Sequence, residues 1–272
     1  MESIKMVFVL AFVTLAFLVQ GKRVTNSVRV HFLHHSTGKI IYYGGKEENA
    51  DIPSLFQKYN ESNHVSYSIS EQYFPKSKPY GWNNYPFDYY NVWVKNAGNV
   101  AFMEEPTLEI LTKEFDVIIF KHCFPVSQVL EGNNLPNIDS KEKTLDNYKF
   151  QYGALREKML QIPETKFLIW TGAALTKEST TEENARRSQA FFHWVKTEWD
   201  KPNDNIFIWD FFEIETEGGI YLKTEYAAGP TDSHPNQNFA RKANRLFFQR
   251  IIDVIENQGE KTSLTGEIKK SL

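Results

Sequence analysis

Residues 116–121 read DVIIFK, and residues 166–171 read KFLIWT. Each is a short, nearly continuous apolar run rich in β-branched and aromatic side chains, without the polar alternation of a sheet that faces water on one side. This pattern predicts two central strands of a parallel sheet covered on both faces. Residues 28–33 (VRVHFL), 65–70 and 205–209 (NIFIW) predict three companions. Helical spacing fills the intervals at residues 52–59, 106–113, 141–161, 181–199 and 236–256. The last of these sets Phe239, Ala243, Leu246, Phe247, Ile251 and Val254 on one stripe. Strand alternating with helix predicts an α/β domain with a central parallel five-stranded sheet. The order of the strands is not fixed by the pattern.

The rest of the composition agrees with a globular domain. The chain has 272 residues, 31 Lys plus Arg against 34 Asp plus Glu, a net charge of -3 and 41% hydrophobic residues. These values exclude a disordered tail protein, a collagen-like fibre and a polybasic nucleic-acid binder. One cysteine, Cys123, allows no intrachain disulfide. Residues 1–21 (MESIKMVFVLAFVTLAFLVQG) carry Lys5 ahead of an apolar run of fourteen residues, 6–19. As a helix that run rises only about 21 Å, short of the roughly 30 Å of a bilayer core, so it reads as a cleaved secretory signal, with an uncleaved signal anchor as the alternative because Lys22 and Arg23 follow directly. The expected organisation is signal peptide 1–21, one α/β domain 22–256, and a polar tail 257–272. A secreted or periplasmic protein with no membrane span after signal cleavage is the expectation.

One stretch departs from the alternation. Residues 73–93 hold nine aromatic residues and three prolines in 21 positions, a poor composition for either regular element. A loop over the edge or mouth of the sheet is expected there. Its rings either form a packed lid or, in part, face a ligand; Trp82 and Tyr80 are among those placed to stack on a sugar.

In open parallel sheets, ligands bind beyond the carboxyl ends of the strands. The first strand is followed by His34-His35-Ser36-Thr37-Gly38, where a serine hydroxyl reaches the rim and loop amides near Gly38 converge on an oxyanion. Just before the last helix comes Asp232-Ser233-His234-Pro235. An imidazole with a nearby carboxylate to fix its tautomer is the general base a serine nucleophile requires.

In these two blocks, and in the α/β body between them, the chain resembles the SGNH or GDSL hydrolase superfamily. The resemblance implies a flavodoxin-like, three-layer α/β/α sandwich and ester hydrolysis without a cofactor. It implies Ser36 as nucleophile, His234 as base and Asp232 as orienting acid. Three departures accompany it. The first block reads His-His-Ser rather than Gly-Asp-Ser. Asp232 stands two residues before His234 rather than three, a position held by Thr231. The third block, which supplies an Asn to the oxyanion hole, reads Lys121-His122-Cys123-Phe124-Pro125. Replacement donors are Lys121, the Cys123 amide, or a loop Asn among Asn83, Asn84 and Asn91, and the second-block glycine is Gly81 or Gly98.

The function expected is therefore an exported serine esterase acting on a small-molecule or glycan ester, such as an O-acetyl group on carbohydrate. The alternative is a catalytically weakened relative that binds a glycan through the aromatic segment. Two rival sites are weaker. His31, His34, His35 and His122 lie near strand ends but pair with no carboxylate at a ligand spacing. Cys123, following a buried strand, reads as an inert small hydrophobe rather than a nucleophile.

Overall fold

A computed structural model of the protein describes residues 27–46, 50–132 and 135–256. The expected signal peptide at 1–21 and tail at 257–272 lie outside the described residues. The elements run β1 (Ser27–His34), α1 (Ser36–Tyr42), α2 (Ile52–Asn63), β2 (Ser66–Tyr73), α3 (Pro86–Tyr90), α4 (Leu108–Glu114), β3 (Val117–Phe120) and α5 (Leu145–Leu160). They continue β4 (Lys166–Trp170), α6 (Glu182–Trp194), β5 (Ile206–Trp209), α7 (Phe211–Thr216), β6 (Ala227–Gly229), β7 (Asp232–Pro235) and α8 (Gln237–Glu256).

Five strands form one parallel sheet in the order β2-β1-β3-β4-β5. All four residues of β3 are buried, as its unbroken apolar sequence requires of a strand covered on both sides. Successive side chains alternate between two cores. Ile118, Phe120, Phe167 and Ile169 pack with residues of α3, α4, α5 and α6 on one face. Val117, Ile119, Leu168 and Trp170 pack with α1, α2 and α8 on the other. The result is the expected three-layer α/β/α sandwich. No helix among the described residues is long and apolar enough to cross a membrane.

The helix starts carry their own chemistry. Asp51 accepts from the Ser54 amide at 2.7 Å at the head of α2, and Asn236 accepts from the Phe239 amide at 2.9 Å at the head of α8. Predicted boundaries shift by a few residues: β2 runs on to Tyr73, α2 to Asn63, and α5 starts at Leu145. Residues 195–199, expected as the end of α6, form a π-helical turn.

Four elements correct the sequence reading. Ser36–Tyr42 is helical rather than a loop, and Phe211–Thr216 forms α7 directly after β5. Residues 227–235 are an antiparallel hairpin, β6 with β7, rather than a plain loop. The aromatic segment contains α3, started by Pro86 and by the Asp88 carboxylate, which accepts from the Tyr85 amide at 3.2 Å. Most of its rings belong to the core: Tyr85, Phe87, Tyr89, Tyr90 and Trp93 are all buried. Trp82 is the exception, at 56% exposure.

Candidate active site

The chain leaves β1 for β2 on one side and later returns to β3 on the other, so the strand order reverses between β1 and β3. This is the crevice where doubly wound sheets bind ligands. Ser36 follows β1 and Cys123 follows β3. Across the crevice Ser36 Oγ meets Cys123 Sγ at 3.6 Å.

Ser36 is the first residue of α1, and His35 supplies no side-chain cap to that helix. The first-turn amides of α1 thus receive no acceptor from the cap residue's side chain. Gly38 permits close approach at this turn. A β-carbon at that position would stand 2.5 Å from His34 Cβ and 2.9 Å from Lys121 Cδ.

His234 and Asp232 lie on β7, which packs against α1. His234 Nδ1 donates to Asp232 Oδ1 at 2.7 Å, and the His234 amide donates to the same oxygen at 3.0 Å. The two-residue spacing thus forms the pair instead of weakening it. These bonds, the backbone one foremost, hold the Asp232 carboxyl below its ordinary range. With Nδ1 carrying the proton, Nε2 is the basic nitrogen. The Phe124 ring meets the imidazole edge to face, with centroids 5.0 Å apart. Because Phe124 adjoins Cys123, one short segment touches both Ser36 and His234. No hydrogen bond joins Ser36 to His234; the serine hydroxyl faces the Cys123 thiol.

The histidines beside Ser36 have other work. His35 Nε2 donates to the Pro75 carbonyl at 2.7 Å, and burial lowers its pKa to about 4, so it is a neutral positioning group. His34 donates from Nδ1 to the His35 carbonyl at 3.1 Å and sets Nε2 3.2 Å from Glu71 Oε2. That contact is the main cause holding the Glu71 carboxyl below its usual range. His31 bonds Ser70 and His122 bonds the Tyr152 hydroxyl. Among the described residues, no group of three or more His, Cys, Asp or Glu is arranged to hold a metal ion.

The proposed replacement donors fare unequally. The Cys123 amide is spent on the Asn84 carbonyl at 3.0 Å, and the Asn84 side-chain amide on the Phe74 carbonyl. Asn91 donates to the Tyr80 hydroxyl at 3.0 Å inside the aromatic segment. The Gly81 amide goes to the Lys76 carbonyl and the Gly98 amide to Glu109 Oε2 at 3.1 Å. The Cys123 amide, Asn84 and Asn91 are taken up by the local fold, as are both candidate second-block glycines, which leaves Lys121 and the exposed Asn83. The Lys121 ammonium is fully buried and has no hydrogen-bond partner. Burial pushes its pKa down, opposed in part by the electrostatic influence of Cys123 and Glu215.

Glu215 on α7 escaped the sequence reading. It is fully buried, accepts from the Ala174 amide at 2.5 Å, and burial drives its pKa far above the ordinary range. The one available signal was its place on the apolar stripe of FFEIET. Trp82, exposed, meets the His35 ring edge on, with centroids 4.5 Å apart, and so stands at the mouth beside the helix that Ser36 begins.

No protein-family model matches the chain, and no curated protein matches it. Solved structures do. A gut microbial diltiazem-metabolizing enzyme is 11% identical, with a TM-score of 0.47 over 83% of this chain and 47% of that one. The chain thus spans about half the length of that neighbour. An acetylxylan esterase from Geobacillus stearothermophilus is 11% identical, with a TM-score of 0.44 over 85% and 96% of the two chains. A family two carbohydrate esterase from Clostridium thermocellum is 10% identical, with a TM-score of 0.37 over 83% and 63%.

Proposed function

We propose that the chain is a serine esterase with Ser36 as nucleophile, His234 as general base and Asp232 as the acid that orients it. The observation that carries this reading is the Asp232–His234 pair, closed at 2.7 Å on a strand packed against the helix that Ser36 begins. In this reading Ser36 Oγ leaves the Cys123 thiol and reaches Nε2 of His234. The imidazole takes the hydroxyl proton as Oγ attacks the acyl carbonyl, then returns it to the departing alcohol. Water, activated by the same nitrogen, releases the acid. The first-turn amides of α1 receive the oxyanion. The buried Lys121 ammonium adds positive potential in a site of low dielectric, where such potential acts strongly.

Trp82 at the mouth favours an ester with a flat-stacking alcohol portion, such as an O-acetylated sugar. The apolar run at residues 6–19 goes with export; N-terminal sequencing of the secreted protein from residue 22 would support it, and retention of residues 1–21 would refute it. The test of the activity is release of p-nitrophenol from its acetate ester by wild type and by Ser36→Ala. Removing a nucleophile of this kind costs on the order of 10⁴–10⁶ in kcat. Labelling by a fluorophosphonate should disappear in Ser36→Ala and in His234→Ala. The exposed Trp82 and the commitment of the Cys123 amide, Asn84 and Asn91 to other partners favour one second reading. Should wild type and Ser36→Ala share one background rate while both retain a polysaccharide, the chain is a glycan-binding module.

A further inference from the structure

Cys123 is the only cysteine in the chain. It is free and only partly buried, not the closed-off hydrophobe that its place behind a strand suggests. Its amide is held by Asn84 and its carbonyl accepts from the Val126 amide at 3.0 Å, so the backbone fixes the thiol at the rim, 3.6 Å from Ser36 Oγ. An independent feature adjoins it. Lys121, two residues earlier, buries an ammonium that no acceptor satisfies and whose electrostatic neighbours are Cys123 and Glu215. A buried cation without an acceptor is costly, and such a group favours an anion in its neighbourhood, such as the thiolate a cysteine forms when it attacks a disulfide.

We propose that Cys123 is a thiol-disulfide exchange site whose modification switches off the Ser36 centre. Cys123 gives its proton to solvent, and the sulfur attacks one sulfur of a small disulfide. The original S–S bond breaks, and the leaving thiolate carries away the electron pair and takes up a proton. One thiol and one disulfide stand on each side, so no further oxidant is required. The new bond, about 2.05 Å long, sets the second sulfur and its substituent in the space in front of Ser36 Oγ. An acyl carbonyl must occupy that same space, and excess free thiol reverses the block. The switch rests on the esterase reading; the exchange does not.

The experiment treats the full chain with hydroxyethyl disulfide and follows intact mass, ester turnover and fluorophosphonate labelling together. With a single cysteine, a one-adduct mass gain assigns the site. Turnover and labelling are expected to fall at least about tenfold in step with the adduct fraction, and to return with dithiothreitol. In Cys123→Ser and Cys123→Ala the treated-to-untreated ratio of each readout should stay at one. In Lys121→Met the adduct should form roughly tenfold more slowly. A complete adduct without loss of turnover or labelling overturns the switch. An adduct that forms only after denaturation overturns the exchange site. If the untreated protein neither turns over ester nor labels, the esterase reading fails and takes the switch with it, while the mass measurement still decides the exchange site.

Discussion

Asp232 accepts two hydrogen bonds from His234 on one oxygen, from the ring at 2.7 Å and from the backbone amide at 3.0 Å. The backbone bond fixes the turn and the ring bond fixes the tautomer, so the carboxylate sets both the position of the imidazole and which nitrogen is left free to accept a proton. Asp232→Asn should therefore lower kcat on p-nitrophenyl acetate by about 10²–10⁴ while leaving the thermal midpoint nearly unchanged, because the pair is half exposed. Because its carboxyl sits below the usual range, Asp232 remains ionised through mildly acid conditions. Titration of Asp232 itself should accordingly leave no limb in the wild-type rate profile at or above the range of a free aspartate.

Lys121 separates stability from activity. Its pKa is lowered in the fold, so its burial costs stability as pH falls below the ordinary lysine range. Lys121→Met removes that cost, and Glu215, already driven towards its neutral form by burial, does not replace it. The variant should melt higher than wild type, with the gain largest at neutral pH and shrinking towards pH 10. Its kcat should fall by at least about tenfold, the loss expected of one electrostatic contributor to an oxyanion. Unchanged kcat with a raised melting point would confine Lys121 to the fold.

Gly38 and Gly153 form a matched pair of tests. Gly38→Ala drives a methyl into His34 Cβ at 2.5 Å, which lies on backbone-anchored atoms with little room to move. It should cost about 1–3 kcal/mol and displace Ser36, so activity should fall further than stability. Gly153 lies within α5 with nothing inside 4 Å of its added carbon. Gly153→Ala should stabilise by about 0.5–1 kcal/mol and leave turnover alone. Urea titration of both variants reads the contrast.

The strands were legible because burial on both faces writes itself as a continuous apolar run, and α8 because its stripe spans twenty residues. Short elements lack room for a period. STGKIIY carries a glycine and two isoleucines and reads as a loop, yet tertiary packing between β1 and β7 makes it α1. The hairpin of residues 227–235 is likewise held by pairing across the turn rather than by β propensity. Within the site, Ser36, Asp232 and His234 stood out because each belongs to a block with a chemical reason for its neighbours. Glu215 and the surroundings of Lys121 did not, since they arise from contacts across nearly a hundred residues of sequence. Cys123 is less buried than its place after a buried strand suggests, because the chain has left the sheet there.

Trp82 projects from the aromatic segment and makes edge contacts with the rings of His35 and Tyr73. Trp82→Ala should leave the melting point within about a degree, since an exposed ring contributes little burial. Loss of one stacking surface is worth roughly 1 kcal/mol, so KM for an acetylated oligosaccharide should rise about fivefold while that for ethyl acetate stays level. Equal shifts on both substrates would place Trp82 outside the binding surface.

Asp88 should govern the acid side of stability. Burial raises its pKa from 3.8 to about 7, opposed by bonds from the Tyr80 hydroxyl at 3.0 Å and the Tyr85 amide at 3.2 Å. Below 3.8 the folded and unfolded forms are both protonated, and the group is neutral in its effect. Between that value and about 7 the unfolded chain releases the proton while the folded chain keeps it, so stability declines as pH rises and then levels off. The full separation corresponds to about 4 kcal/mol, an upper bound because neighbouring groups and solvent relax around the charge. Asp88→Asn should cost about 1 kcal/mol at pH 4, where it loses one acceptor, and should flatten the decline above it. Chemical denaturation at intervals from pH 4 to pH 8 compares the two curves. Parallel curves would mean that Asp88 ionises in the folded chain as freely as in the unfolded one.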